Sequence, residues 1–341
     1  MEKGGAGMSV LASPIRVGNL EINNRLVLPP MATAKSTENG EVTDALCAYY
    51  AEKSAGGSLG LIITEHSFVH PRGQASAGQL SIAKDSDIVG LKKLTTVIHQ
   101  NQTKAFAQIS HAGGLAKQAI IGAEPLSASA TVFPKVSRAE GIPKQMTVKE
   151  IQHVISAFVA AAVRAKEAGF DGVELHSAHG YLLNQFYSPL INKRRDAYRG
   201  DQISGRIKLH LEIIRGIQKQ VGMDFPIAVR LGASDYLPGG TSIEDSVIAA
   251  KAFEEAGVCL IDVSGGFSFY THPHTKKEGY FCDLSEVLKK SVHIPVILTG
   301  GVVTASAAED LLVSNKADMI GVGRAILKDS NWASEALAAL E

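Results

Sequence analysis

A single (β/α)8 TIM barrel is the fold class that this 341-residue sequence predicts. Three observations carry the prediction. Short β-branched or aliphatic runs recur about eight times. Amphipathic segments at helical spacing lie between them. Nearly every run ends in a polar side chain or in glycines. Strands covered on both faces read as near-continuous apolar runs, and strand–helix alternation repeated this often closes a parallel barrel. An open doubly wound sheet is the rival reading.

The expected strands fall at 25–28, 61–64, 105–108, 172–175, 227–230, 260–263, 295–298 and 319–322. Helices are expected at about 43–56, 87–100, 148–168, 204–221, 242–256, 305–313 and 331–340. The longest carries Ile151, Val154, Ile155, Phe158, Ala162 and Ala165 on one face, and Gly169 stops it. The stretches 111–145 and 266–283 read as loop excursions. Nothing resembles a linker, so 9–341 is expected to be one domain. Residues 1–8 are expected to be a disordered start or a remnant of an expression vector, with Met8 the natural beginning.

Bulk properties exclude several function classes. The 34 basic and 34 acidic residues cancel, which gives no field to attract nucleic acid or an anionic membrane. Cys47, Cys259 and Cys282 form no Cys-x-x-Cys pair, so reduced thiols in a cytoplasmic protein are expected. No apolar run approaches the ~18 residues of a membrane span, and the first seven residues lack the apolar core of a signal peptide.

Chemistry in such barrels sits at the C-terminal ends of the strands. Here those ends read Pro29-Pro30-Met31, Glu65-His66, Gln108, His176, Arg230, Ser264-Gly265-Gly266, Thr299-Gly300-Gly301 and Gly323-Arg324. The run His176-Ser177-Ala178-His179-Gly180-Tyr181 places two imidazoles and a phenol within six residues. Such groups can donate hydrogen bonds to a carbonyl oxygen and deliver a proton to a neighbouring carbon, which suits an enolate. Gly300, Gly301 and Gly323 let backbone N–H groups approach an anion, and Arg324 can pair with a phosphate. Tight turns alone would also explain the glycines. Arg230 closes an apolar strand, either as a cation beside an electron-rich ring or in a structural ion pair with Asp235 or Glu174. Gln108 could read an imide edge of such a ring. A metal on His176 and His179 would have only Glu65 and Glu174 as nearby carboxylates, and Glu174 precedes His176 in its strand, so no metal is expected. No lysine stands at a strand end, which argues against Schiff-base chemistry.

The run from His176 to Phe186, followed by Ser188, Pro189, Asn192, Arg194, Asp196 and Tyr198, resembles the signature of the old yellow enzyme family. Its His-x-x-His-Gly-Tyr form is similar to the bacterial branch that includes the flavin domain of 2,4-dienoyl-CoA reductase. The match extends from Pro14-Ile15 and Asn23-Asn24-Arg25 to Gly323-Arg324. The resemblance implies an FMN-binding barrel that takes electrons from NADH or NADPH, and a homo-oligomer. It implies that Pro29, Pro30, Met31 and Ala32 line the flavin with His66 nearby, and that Gln108 and Arg230 hold its pyrimidine edge. Gly265, Gly300, Gly301, Gly323 and Arg324 are the implied phosphate site. His176 and His179 would bind the oxygen of an α,β-unsaturated carbonyl substrate. Hydride would pass from FMN N5 to the β-carbon, and Tyr181 would protonate the α-carbon. An NAD(P)H oxidase or quinone reductase, and a non-catalytic flavin-binding module, are the alternatives. Phe133, Tyr236, Phe269 and Tyr270 are candidates for shaping the pocket.

The sequence departs from the family pattern in three places. Ala32 stands where many relatives have Cys or Thr, and alanine offers the flavin no side-chain hydrogen bond. His111-Ala112-Gly113-Gly114 replaces the usual His-Ala-Gly-Arg, removing a cation. The cysteine-rich iron–sulfur segment and second dinucleotide domain of multidomain relatives are expected to be absent. Electrons are therefore expected directly from a nicotinamide.

Overall fold

Short strands buried on both faces build the central feature of the computed structural model, which describes residues 9–340 except Val136 and Arg138. The expectations for residues 1–8 lie outside the described residues. Eight parallel strands follow one another around a closed ring: β1 (Leu26–Leu28), β2 (Leu61–Ile63), β3 (Lys104–Ser110), β4 (Gly172–Ser177), β5 (Ile227–Ser234), β6 (Leu260–Gly265), β7 (Val296–Thr299) and β8 (Met319–Gly321). β8 pairs back with β1 through Ile320↔Leu26, which closes the barrel. All eight expected runs are barrel strands.

The period of two along each strand divides the side chains between two compartments. Val27, Leu61, Ile63, Phe106, Ala228, Leu260, Ile297 and Met319 point inward and form one apolar cluster. Leu26, Leu28, Ile62, Ala105, Val173, Leu175 and Val229 point outward into a larger core shared with the helices. These helices are α1 (Asp44–Ser54), α2 (Asp87–His99), α3 (Val148–Glu167), α4 (Lys208–Val221), α5 (Ile243–Glu255), α6 (Cys282–Lys289), α7 (Ala305–Val313) and α8 (Trp332–Ala338). Capping boxes start two of them, Thr147 with Glu150 on α3 and Ser242 with Asp245 on α5. Gly169, at φ +88°, lets the chain leave α3 as the sequence predicts.

Of the elements outside the sequence expectations, two complete the barrel. An antiparallel hairpin, Ile15–Val17 with Leu20–Ile22, precedes β1. Val17 and Ile22 insert into the interior cluster and close the N-terminal end of the barrel. Each buries a branched side chain almost completely, worth roughly 1.5–3 kcal/mol. The second is α6, which begins at Cys282, inside the stretch expected to be loop. Its Leu284 and Leu288 are buried, so it supplies the helix between β6 and β7 that the barrel requires. Among the described residues, no helix is long and apolar enough to cross a membrane.

Candidate active site

β4 ends by changing hand. His179 (φ +56°) and Gly180 (φ +72°) are successive left-handed residues, after which the short helix Leu182–Tyr187 begins. A non-glycine residue in this region is uncommon and is held by its surroundings. The turn brings three rings together: the His176 centroid lies 5.0 Å from that of His179 and 4.8 Å from that of Tyr181. His66, arriving from the end of β2, joins them through a 3.2 Å hydrogen bond between its Nε2 and the Tyr181 hydroxyl. Ser264 on β6 holds His179 Nε2 at 2.7 Å. His176 Nδ1 is buried and has no hydrogen-bond partner among the described residues.

Side chains that the sequence shows only as part of a motif hold this turn. Asn184 Oδ1 accepts from Gly180 N at 2.7 Å. Gln185 donates to the carbonyls of Ala112 and Gly180 (2.9 and 2.7 Å) and accepts from Gly114 N at 3.0 Å. Ser188 donates to Asp235, which also accepts from Thr241 N and Phe267 N. Arg194 pairs with Asp196 and donates to the carbonyls of Ala128 and Met146. The long signature after β4 is thus largely a brace between β4, the β3–α3 excursion and the β5 and β6 ends.

Below the rings the barrel interior turns polar. Gln108 donates to Glu174 Oε1 at 2.8 Å, and Thr299 donates to Asp262 Oδ1 at 3.1 Å. Arg230 lies in register with His176 on one side and Asp262 on the other. Its partner is Asp262, with Nε to Oδ2 at 3.2 Å, rather than Asp235 or Glu174 as the sequence suggests for an ion pair. Asp235 is committed to its own loop, and Glu174 lies two residues below the level of Arg230.

Burial, helped by the neighbouring charges, keeps these imidazoles neutral. Desolvation pushes His176 and His179 well below the usual histidine range, with nearby His179 and Arg230 adding to the effect on His176, and Arg230 on His179. His66 is lowered to about 4, again mainly by burial and then by Arg230. A neutral imidazole offers one N–H donor, so the pair can polarise an oxygen without giving up a proton.

The glycine-rich strand ends converge on the same rim. A Cβ on Gly323 would lie 2.8 Å from Met31 Sδ, so the turn after β8 touches the segment after β1. A Cβ on Gly301 (φ +71°) would strike the Tyr280 ring at 2.4 Å and come within 3.5 Å of Arg324 Nη2. Gly300 lies against the backbone of Tyr280 and Phe281. Gly265 is needed by its own turn, since a Cβ there would meet Ser268 Oγ at 2.2 Å, and its carbonyl accepts from His179 N. Pro29 is buried, Pro30 and Met31 are partly exposed, and Ala32 is exposed. The hydroxyl beside Ala32, on Thr33, is committed to Glu65 at 2.9 Å.

The candidate pocket aromatics separate. Tyr270 stands 6.1 Å from His179, ring to ring. Phe133 packs edge-on against Phe267 and lies over Gly114, where a Cβ would meet its ring at 2.7 Å. Tyr236 pairs instead with His272 and Phe281, and Phe269 lies in the turn after Gly265. Among the described residues, no group of three or more His, Cys, Asp or Glu is placed to hold a metal ion.

Residues 10–341 match the model of the NADH:flavin oxidoreductase / NADH oxidase family. The chain belongs to that family. It is 40% identical over 332 residues to an NADH oxidase of Thermoanaerobacter brockii, covering 96% of this chain and 50% of the relative. It is 35% identical over 334 residues to a metal reductase of Desulforamulus reducens, covering 97% of this chain and 49% of that protein. The chain therefore spans about half the length of the curated relatives it matches. Among solved structures, a 2-naphthoyl-CoA reductase complex superposes at a TM-score of 0.90 with 26% identity, over 97% of this chain and 52% of that one. The old yellow enzyme homologue of Zymomonas mobilis gives 0.84 with 25% identity, over 96% and 92% of the two chains. As a member of the NADH:flavin oxidoreductase family, the chain has the old yellow enzyme fold that its signature predicts.

Proposed function

We propose that this protein is a cytoplasmic, FMN-dependent NAD(P)H oxidoreductase that reduces the C=C bond of α,β-unsaturated carbonyl compounds. The observation that carries this reading is the convergence of neutral His176 and His179 with Tyr181, above a polar barrel interior that contains Gln108 and Arg230. The donor set fits FMN. Among the described residues His176 Nδ1 is a buried polar atom without a hydrogen-bond partner, Arg230 Nε has only its ion pair with Asp262, and the rim after β7 and β8 offers glycines beside a guanidinium. In this reading 29–32 and His66 line the flavin, Gln108 and Arg230 hold its pyrimidine edge, and Gly265, Gly300, Gly301, Gly323 and Arg324 take its phosphate.

When bound, FMN supplies two-electron transfer between a nicotinamide and the β-carbon of the acceptor. The remaining work falls to the chain. His176 and His179 donate hydrogen bonds to the substrate oxygen, and they favour the enolate because negative charge develops there. Ser264 fixes which His179 nitrogen is left for that task. Tyr181 delivers a proton to the α-carbon, with His66 orienting its hydroxyl.

Anaerobic stopped-flow absorbance on FMN-loaded protein tests the reading. Nicotinamide should bleach the flavin, and 2-cyclohexenone should restore it. In Tyr181→Phe the restoring step should slow by about 100-fold or more, the usual scale for a lost general acid, with bleaching unchanged. The names of the T. brockii and D. reducens relatives favour a second reading, an NAD(P)H oxidase or quinone reductase without a dedicated enone. Recovery by oxygen or quinone alone, at equal rates in both proteins, would establish it. Failure of any nicotinamide to bleach the flavin would leave a non-catalytic flavin-binding module.

A further inference from the structure

Two buried acids and one base share the top of the barrel interior. Glu174 and Asp262 are completely buried and Arg230 is nearly so. Arg230 sits on the Asp262 side, 3.2 Å from Oδ2, and Asp262 has a second partner in Thr299. Among the described residues Glu174 has only the Gln108 amide, on Oε1, and its Oε2 has neither a hydrogen bond nor an ion pair, whereas Asp262 Oδ2, also without a hydrogen bond, faces the Arg230 guanidinium. Other groups near the cluster bring no compensating charge. Gln108 is neutral, His66, His176 and His179 are neutral imidazoles, and the floor beneath is Phe106, Ala228, Leu260 and Ile297. With both acids ionised, two negative charges would face one positive charge in a compartment closed below by the hairpin. An uncompensated buried charge costs several kcal/mol, and a carboxyl escapes that cost by keeping its proton.

We propose that Glu174 is a positioning residue that holds a proton inside the barrel, so that the Glu174–Asp262–Arg230 cluster is neutral below the proposed flavin site. Burial, then the charge of Asp262, push Glu174 well up against the opposing pull of Arg230 and Gln108; burial also raises Asp262, but Arg230 and Thr299 oppose it there at direct contact distance. The proton therefore belongs on Glu174, and its Oε2 is the oxygen left to carry it. The consequence for electron transfer rests on the flavin reading. A net negative cluster would oppose electrons arriving at the cofactor, and the proton removes that opposition. The presence of the proton does not rest on that reading.

Infrared spectroscopy of the purified protein at neutral pH tests the proton first. A carboxylic acid C=O band should stand above the amide absorption, be lost in Glu174→Gln, and shift in wild-type protein grown on δ-13C-glutamate. A band that ignores the label, or no band at all, overturns the proposal without requiring any variant to fold. The midpoint potential of bound FMN tests the consequence. Glutamine reproduces the neutral form, so Glu174→Gln should keep the wild-type potential at neutral pH. A marked rise would mean that a buried negative charge had been removed, and would overturn the proposal. If the protein bound no flavin, the flavin reading would fail while the infrared result still decided the proton.

Discussion

Arg324 and the two histidines divide binding from chemistry at the level of single residues. Arg324 is exposed on the rim, close enough to Gly301 to share an anion with it, whereas His66 and Ser264 supply the hydrogen bonds of the ring cluster. Arg324→Ala should therefore weaken FMN binding by about 10-fold or more, the loss expected for a charge-assisted hydrogen bond, while leaving the rate of the loaded enzyme near wild type. Fluorescence titration with FMN measures this, and an unchanged dissociation constant would remove Arg324 from the phosphate site. His176→Ala and His179→Ala should each weaken phenolic ligands, whose oxygen mimics an enolate. The long-wavelength charge-transfer band is the readout, and if neither variant alters it the oxyanion site lies elsewhere. At this scale the sequence shows which groups stand at strand ends, because chain position decides that. It hides Asp262 as the partner of Arg230, since register between β5 and β6 decides that pairing and no local pattern encodes it.

Short elements and the contacts between them explain what periodicity could and could not show. The eight strands are legible because both faces are covered, which makes each run apolar throughout. The hairpin before β1 is only three residues a side, and its exposed Arg16 and Glu21 interrupt any apolar run. Helix α6 is eight residues long and follows an aromatic, histidine-rich stretch that reads as loop. The turn at Gly114 shows how one departure from the family pattern is absorbed. Where the resemblance leads one to expect arginine, Phe133 and Pro143 occupy the space, at 2.7 and 2.9 Å from where a Cβ on Gly114 would stand. Gly114→Arg should not restore a useful cation but should displace the Phe133–Phe267 pair, at a cost of about 1–3 kcal/mol. Urea denaturation reads this directly, and equal stability would show that the loop yields freely. Gln185→Ala should cost about 3 kcal/mol by the same measurement, because it leaves the Ala112 and Gly180 carbonyls and the Gly114 N–H without their partner.

The whole molecule is a barrel with one sealed, apolar end and one open, polar end, and its histidines give that architecture a pH dependence. His111 and His210 are almost wholly buried, and burial lowers each to about 3. Neither can gain a proton without losing its surroundings. His111 accepts from Gly113 N at 3.0 Å, and His210 Nε2 meets Ser177 Oγ at 2.7 Å behind β4. In the unfolded chain both take up a proton near pH 6.5. Below that point the unfolded state binds more protons than the folded one, so stability is complete above pH 6.5 and is lost progressively as pH falls toward about 3. Each histidine contributes up to about 1.4 kcal/mol per pH unit across that window. Urea midpoints should therefore fall between pH 7 and pH 5 in the wild type. His210→Gln can keep a hydrogen bond to Ser177 while removing one titrating group, so its midpoint should fall less steeply. Parallel slopes for the two proteins would show that His210 is protonated equally in both states, which its burial behind β4 forbids.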